Sequence, residues 1–275
     1  MGVLARRQDK AGVAGEIRRV IAAPMATAEQ LEGWRQDEAA GFKGWDFSYI
    51  AGRAAQEEPP WSYRTRALEL VKGADRLLDI DTGGGEVLAS LAPLPGRSVA
   101  IESYPPNVAV ARDRLGPLGV DVRPVAVGAA FGLEAASFDL ILNRQGHVNA
   151  PQIARCLRPG GRFLTQQVGG GNLADLAALF RGPAPGLENS LSSVSADLTA
   201  NGLRLVRGEA WTGRQAFLDV GALVYFLKAI PWIVPGFSLD THAAALEALQ
   251  DRTDAGAPLS FTIERFLIEA EKPVD

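Results

Sequence analysis

Between Arg76 and Val168 short apolar runs alternate with helix-like stretches, and this alternation limits the possible folds more than any other feature of the chain. Leu77-Leu78, Val99-Ala100-Ile101, Leu140-Ile141-Leu142 and Phe163-Leu164 are short and continuous, as suits strands covered on both faces of a sheet. Glu86 to Leu91, Asn107 to Leu115 and Ala150 to Leu157 read as helices between them, and Val120 to Val127 as a further strand. Such spacing specifies parallel βαβ units. The expectation is an α/β, doubly wound, mostly parallel seven-stranded sheet with helices on both faces. Its last two strands are Leu203 to Trp211 and Phe261 to Ala270. Asp219 to Ile230 and Leu239 to Asp251 read as helices between these two, so that 212–260 is a helical insertion.

The 275 residues suit one large domain with an insertion. We expect residues 1–60 to form an N-terminal extension or lid and 61–275 to form the main domain. In the extension, Thr27 caps a helix running to Ala40, and Met25 opens what reads as the folded unit. Gly41 to Ile50 holds four aromatic residues, Trp45 among them, a density suited to a packed flap or to a lid.

Lysine plus arginine number 28 and aspartate plus glutamate 32, a net charge of −4 that weighs against a nucleic-acid partner. The single cysteine, Cys156, excludes an internal disulfide framework and a multi-cysteine metal site, and the two histidines, His147 and His242, argue against a histidine-based one. No metal is expected. The most apolar stretch, Val220 to Val234, is interrupted by Lys228 and Pro231 and falls short of the roughly 20 residues needed to span a bilayer. With no signal peptide visible, the expected location is the cytoplasm.

The chemistry is concentrated in Leu78-Asp79-Ile80-Asp81-Thr82-Gly83-Gly84-Gly85-Glu86-Val87-Leu88, a strand, a glycine-rich turn and a helix start. Glycine lets the chain turn tightly and lets a ligand approach. Glu102 ends the next strand, 19 positions after Gly83. A carboxylate there can accept two hydrogen bonds from a ribose diol, so the pair predicts an adenosine-containing ligand. A dinucleotide site wants a third glycine where Leu88 stands, and a phosphate-binding loop wants Lys-Ser/Thr after the glycines; neither is present. Asp79 would repel a phosphate but suits a ligand with an ammonium group.

At this point the chain resembles the class I S-adenosylmethionine-dependent methyltransferases over residues 74–170. The resemblance rests on the 78–85 segment, Glu102, Phe138-Asp139-Leu140-Ile141-Leu142-Asn143 and Leu157-Arg158-Pro159-Gly160-Gly161-Arg162-Phe163-Leu164. It implies a Rossmann-like fold and S-adenosylmethionine as cofactor, with S-adenosylhomocysteine as product. By the same resemblance Asp79 and Gly83 to Gly85, with Asp81 and Thr82 in the same turn, line the methionine part. Glu102 holds the ribose, Ser103 and Tyr104 flank the ribose or adenine, Gly128 and Ala129 border the adenine edge, and Asn143 and Arg144 lie near the transferring methyl. Asp81 departs from the pattern, since it replaces the family's first glycine. If its φ is positive the turn is strained by about 1 kcal/mol or more.

Asn143 and His147 are the candidate catalytic residues, His147 as a general base. Trp45, Trp61, Tyr63, Tyr225 and Trp232 are candidate substrate contacts, with 1–60 and 212–260 as the substrate cover. The favoured reading is methyl transfer to a small, partly apolar molecule. One alternative is an RNA or protein methyltransferase, which would present Arg53, Arg64, Arg66, Arg144 or Arg214 as a basic surface. The other is a non-catalytic S-adenosylmethionine-binding protein, suggested by Asp81 and Gly128.

Overall fold

The computed structural model describes residues 26–42, 46–184 and 186–274. In chain order the elements are α1 (Ala28–Ala39), β1 (Ala54–Gln56), α2 (Tyr63–Val71), β2 (Arg76–Ile80), α3 (Glu86–Ala89), β3 (Arg97–Glu102), α4 (Pro105–Leu115), β4 (Val120–Pro124), β5 (Phe138–Arg144), α5 (Ala150–Cys156), β6 (Leu157–Val168), α6 (Ala174–Leu179), α7 (Leu191–Ala200), β7 (Arg204–Phe217), α8 (Val220–Ala229), α9 (Leu239–Asp254) and β8 (Leu259–Glu271). The strands form one eight-stranded sheet in the order β1-β7-β8-β6-β5-β2-β3-β4. The pairs β2–β3, β2–β5, β3–β4 and β5–β6 are parallel, and β6–β8 is antiparallel. This is the expected Rossmann-like α/β architecture with one strand more than the seven expected. The addition is β1, a three-residue edge strand whose Ala-Ala-Gln sequence carries no apolar alternation.

Two separate cores show that both faces of the sheet are covered. On one face α5 and α7 pack through Ile153, Cys156, Val194 and Leu198 against Ile80, Ile101, Ile141 and Phe163. On the other, α2 and α4 pack through Tyr63, Ala67, Ala111 and Leu115 against Leu77, Ala100, Leu142, Leu164 and Leu267. Leu157 to Gly161, expected as a helix end and turn, instead opens β6. Gly160 N–H donates to Lys272 O (2.8 Å) and Lys272 N–H to Gly161 O (2.9 Å), which draws this stretch into the sheet.

The chain divides into two compact units, one comprising residues up to Ala55 with Leu179–Gly182 and Ala216–Ser260, the other Gln56–Ala178, Pro183–Gln215 and residues from Phe261 on. Among the described residues the first takes in 26–42 and 46–55 of the expected extension and 216–260 of the expected insertion. Within it Arg53 forks onto Asp37 (2.9 and 2.9 Å) and Asp219 (3.0 and 2.6 Å). Asp219 also caps α8 by accepting from Ala222 N–H at 2.8 Å. Gly221 is required beside this cluster, because a Cβ there would lie 2.0 Å from an Asp37 oxygen.

Within the second unit two carboxylates set the strand frame. Asp139 accepts from the backbone N–H of Asp75 and of Arg76 (both 3.0 Å) and pairs with Arg158 at 3.1 Å, which fixes where β2 starts. Glu269 on β8, 1% exposed, takes a bidentate fork from Arg66 of α2 (2.8 and 2.7 Å) and a third bond from Arg162 (2.9 Å). Burial opposes the charge on Glu269, but the Arg66 and Arg162 guanidiniums outweigh it and hold the pKa below its ordinary 4.5. This clamp fixes α2 against the sheet. Glu269→Gln is expected to lower the unfolding free energy by about 2 kcal/mol, less than for a fully buried pair because both arginines keep contact with water. The carboxylate's contribution is present above pH 4.5 and is lost as pH falls through its depressed folded value. Urea unfolding of both proteins at neutral and acid pH checks this, the difference being expected to shrink in acid.

Candidate active site

The strand register places the candidate residues on defined faces. Residues paired across a sheet point to the same side, and residues two apart along a strand do so as well. Asp79 pairs with Ala100 and Leu142, Leu142 with Leu164, Arg144 with Gln166, and Val168 with Arg265. Glu102, Asp79, Arg144, Gln166 and Arg265 therefore share one face at the carboxyl ends of β3, β2, β5 and β6, continued onto β8. In an open α/β sheet ligands bind outside those ends, at the switch point, which here lies between β2 and β5.

Three loops meet there. Glu102 Oε2 accepts from Gly83 N–H (2.6 Å) and Oε1 from Tyr104 N–H (2.7 Å), which ties the turn after β2 to the loop after β3. Asp81 Oδ2 accepts from His147 N–H (2.8 Å) and Oδ1 from the Ser103 hydroxyl (3.2 Å), which adds the loop after β5. Asp81 has φ +53°, so the strain foreseen for it is present, and its two side-chain bonds offset it. Gly146 makes room for this arrangement, since a Cβ there would stand 2.5 Å from Asp81.

The glycines of the turn divide their work. A Cβ at Gly85 would meet Leu115 at 2.7 Å, so Gly85 serves helix packing. A Cβ at Gly83 would meet nothing within 4 Å, and φ there is +63°. Gly83 thus opens onto free space in a conformation that other residues rarely adopt. Gly128 borders a cavity of about 370 Å³ with His147, Val148, Asn149, Asp197 and Asn201. Ala129 next to it and the Tyr104 ring are exposed.

The electrostatics favour a cation. Asp79, Asp81 and Glu102 form no ion pair among the described residues, and Asp79 and Glu102 are 8% and 4% exposed. Burial pushes the Asp79 carboxyl up to about 7; the Thr82 hydroxyl opposes this and the charges of Asp81 and Glu102 add to it. Thr82 Oγ1 is itself buried beside Asp79, in a bond too poorly aligned to satisfy it fully. Buried polar groups are normally satisfied, so these groups have hydrogen-bonding capacity to offer a ligand. S-adenosylmethionine fits this donor set. Asp79 and Asp81 offer charge to its cationic portion, Glu102 keeps lone pairs for a diol, and Gly83 leaves room.

Other predicted residues fall differently. Asn143 is wholly buried; it donates to Ile80 O (3.1 Å) and accepts from Thr165 (3.0 Å) and Gln167 (2.6 Å). Its amide is spent inside the opposite face, which corrects the expectation that it meets the transferring methyl. Arg144, one position on, is exposed at the edge. Trp61 and Tyr63 are buried on the Asp79 face, and Trp61 Nε1 donates to Gln166 at 2.8 Å. Tyr225, 2% exposed, is consumed by a ring cluster of the first unit, stacked on Tyr49 at 4.7 Å, which leaves little of it for a substrate; Trp232 is 56% exposed. Trp45 lies outside the described residues. The Gly169-Gly170-Gly171 run is explained by packing, because a Cβ at Gly169 or Gly171 would strike Glu264 at 2.5 Å. Gln166 and Arg265, which the sequence reading passes over, stand with the candidates. Arg265 follows Glu264 between the apolar Ile263 and Phe266 of β8, and that pair of charges is the signal for it.

The fold and the glycine turn at the switch point resemble those of class I S-adenosylmethionine-dependent methyltransferase domains. Residues 78–165 match the family described as "Methyltransferase domain". The protein-L-isoaspartate O-methyltransferase of Anaeromyxobacter dehalogenans is 34% identical over 134 residues, covering 47% of this chain and 63% of that one. The enzyme of the same name from Geobacter metallireducens is 36% identical over 104 residues, covering 36% and 47%. The chain thus spans between about half and two thirds of the length of these curated relatives. Among solved structures, the YcgJ protein from Bacillus subtilis aligns over 78% of this chain and 99% of its own, with TM-score 0.55 and 19% identity. A putative methyltransferase from Bacillus halodurans aligns over 77% and 99%, with TM-score 0.55 and 18% identity. Among the described residues no helix is long and apolar enough to cross a membrane, and no group of side chains could hold a metal ion.

Asp79 carries a measurable consequence. Its folded pKa of about 7 lies above the ordinary 3.8, so the native state holds a proton that the unfolded state has lost between these values. Stability therefore falls as pH rises from about 4 to about 7, by up to ~4 kcal/mol at full effect. Asp79→Asn is expected to unfold at a higher temperature than the parent at pH 8 and at a similar one at pH 4. Thermal melts of both proteins across this range decide it, and parallel curves would remove Asp79 as the buried acid.

Proposed function

We propose that this protein transfers the methyl group of S-adenosylmethionine to a small, partly apolar acceptor. The observation that carries the proposal is the gathering of three carboxylates without ion pairs, a buried hydroxyl and an open glycine turn at the carboxyl ends of β2 and β3. Bound there, S-adenosylmethionine supplies a methyl group already activated on a sulfonium. Asp79, Asp81, Thr82 and Gly83 to Gly85 hold its methionine part, Glu102 its ribose, Ser103 and Tyr104 flank it, and Gly128 and Ala129 border its base. What the chain must add is orientation and exclusion of water, which can supply roughly 7–11 kcal/mol. Trp61 and Tyr63 form the apolar wall on the acceptor side. A base is needed when the acceptor atom is protonated, and His147 on the cavity rim is the side chain placed for it.

A protein acceptor is the second reading, favoured by the names of the curated relatives. The basic surface once expected for RNA or protein is largely spoken for. Arg53 and Arg66 are in ion pairs, Arg64 donates to Ser90, and Arg214 donates to Thr262. Asp81, which suggested a non-catalytic protein, is accounted for by the loop bonds it makes.

Calorimetric titration with S-adenosylhomocysteine tests the reading, and absence of binding would end it. Glu102→Ala is expected to weaken that binding by about 1.5–3 kcal/mol. Thr82→Val should weaken S-adenosylhomocysteine by about 1 kcal/mol, because it removes the buried hydroxyl beside Asp79. Unchanged affinity in both variants would place the ligand elsewhere.

A further inference from the structure

The acidic half of the carboxyl edge is matched by a basic half that the cofactor reading does not use up. Arg144, exposed at the end of β5, has no hydrogen bond or ion pair among the described residues. Arg265, half-buried on the same face of β8, donates to the neutral oxygens Asn172 Oδ1 (2.7 Å) and Glu264 O (2.8 Å) and reaches Gln56 Oε1 at 3.5 Å; it has no ion pair. Between them on β6 stands Gln166, fixed by Trp61. Tyr63 feels the charges of both Asp79 and Arg144, so the two halves meet beside it. Burial, and then the charge of Arg144, lower the Arg265 pKa, with the exposed Glu58 opposing them more weakly. Arg265 also borders a cavity of about 240 Å³ walled in part by Trp211, Leu187, Leu191 and Glu264, whose carboxylate is held by Gly171 N–H (2.9 Å), and this gives a partly apolar molecule access to the guanidinium. Half-buried beside a second guanidinium and bonded only to neutral oxygens, Arg265 gains from an anion that joins the two.

We propose that Arg144 and Arg265 bind an anionic group of the methyl acceptor, a carboxylate or a phosphate, and so select an anionic, partly apolar substrate. The proposal rests on the methyl-transfer reading above and deepens it. A carboxylate gripped by two guanidiniums is a weaker nucleophile than a free one, so the pair acts as the acceptor's handle and the methyl goes to another atom.

The test is calorimetric titration of the full chain, ligand-free and loaded with S-adenosylhomocysteine, with benzoate, with inorganic phosphate and with uncharged benzamide. One anion or both should bind at least about tenfold more tightly than benzamide, and the anion that binds identifies the group. Arg144→Ala and Arg265→Gln should each weaken that anion about tenfold or more, Arg265→Lys should recover part of it, and S-adenosylhomocysteine affinity in the Arg265 variants should stay within about twofold of the parent's. Arg144 has no partner to lose, so its variant tests the idea even if Arg265→Gln unfolds. Benzamide binding as well as benzoate, anion binding indifferent to the substitutions, or no anion binding at all overturns the proposal. An equal loss of anion and S-adenosylhomocysteine in Arg144→Ala also overturns it, by giving Arg144 to the cofactor. If S-adenosylhomocysteine itself fails to bind, the methyl-transfer reading falls, while the ligand-free titrations still decide the arginine pair.

Discussion

The Glu102 carboxylate is the interaction on which the site depends. By accepting from Gly83 N–H and Tyr104 N–H it locks the turns after two adjacent strands at a fixed separation. A carboxylate is suited to this because each oxygen can accept more than one bond, so the side chain that builds the cleft keeps capacity for a ligand. Asp81 repeats the device toward the loop after β5. The cost is a buried acid without an ion pair, visible in the raised pKa of Asp79, which burial drives and the neighbouring carboxylates add to. Binding sites commonly store unfavourable energy of this kind, which an oppositely charged ligand can release.

Much of this was legible in the sequence, for physical reasons. Parallel strands buried on both faces must be continuously apolar, so Leu77-Leu78 and Leu140-Ile141-Leu142 announced themselves. Glycines at 83 and 85 announced the turn between β2 and α3. The spacing to Glu102 followed from the length of one βαβ step. Strand β1 was not legible because three residues at a sheet edge need no pattern beyond backbone pairing. The start of β6 was misread because Pro159-Gly160-Gly161 is turn-like locally, while its partner, Lys272, lies more than a hundred positions away.

The site residues show where such reading stops. Asn143 and Arg144 are adjacent in sequence and both end β5, yet alternation sends one into the opposite core and the other to the cleft edge. Which of them faces the ligand depends on register with β6, information carried by neither residue. Asp81 illustrates the same limit. Its positive φ was foreseeable from the glycine it replaces, but its partners Ser103 and His147 come from loops that only the assembled sheet brings together.

Across the sheet order the charged groups of this edge fall into two poles. Glu102 and Asp79 stand on β3 and β2; Arg144 and Arg265 stand on β5 and β8, with Gln166 between the two arginines on β6 and the buried Tyr63 beside Asp79 and Arg144. Methyl transfer from a sulfonium disperses charge in the transition state, so strong electrostatic stabilisation of that state is not what such an edge must provide. Under the proposed function, two poles of opposite sign would orient two partners of opposite charge, a cationic donor toward the acids and an anionic acceptor toward the guanidiniums, with their reactive ends meeting where β2 adjoins β5. Orientation is the larger part of catalysis when the leaving group is already activated. On this argument the charge pattern works mainly as a positioning device, and the loop bonds of Glu102 and Asp81 keep its acidic pole in place before either partner arrives.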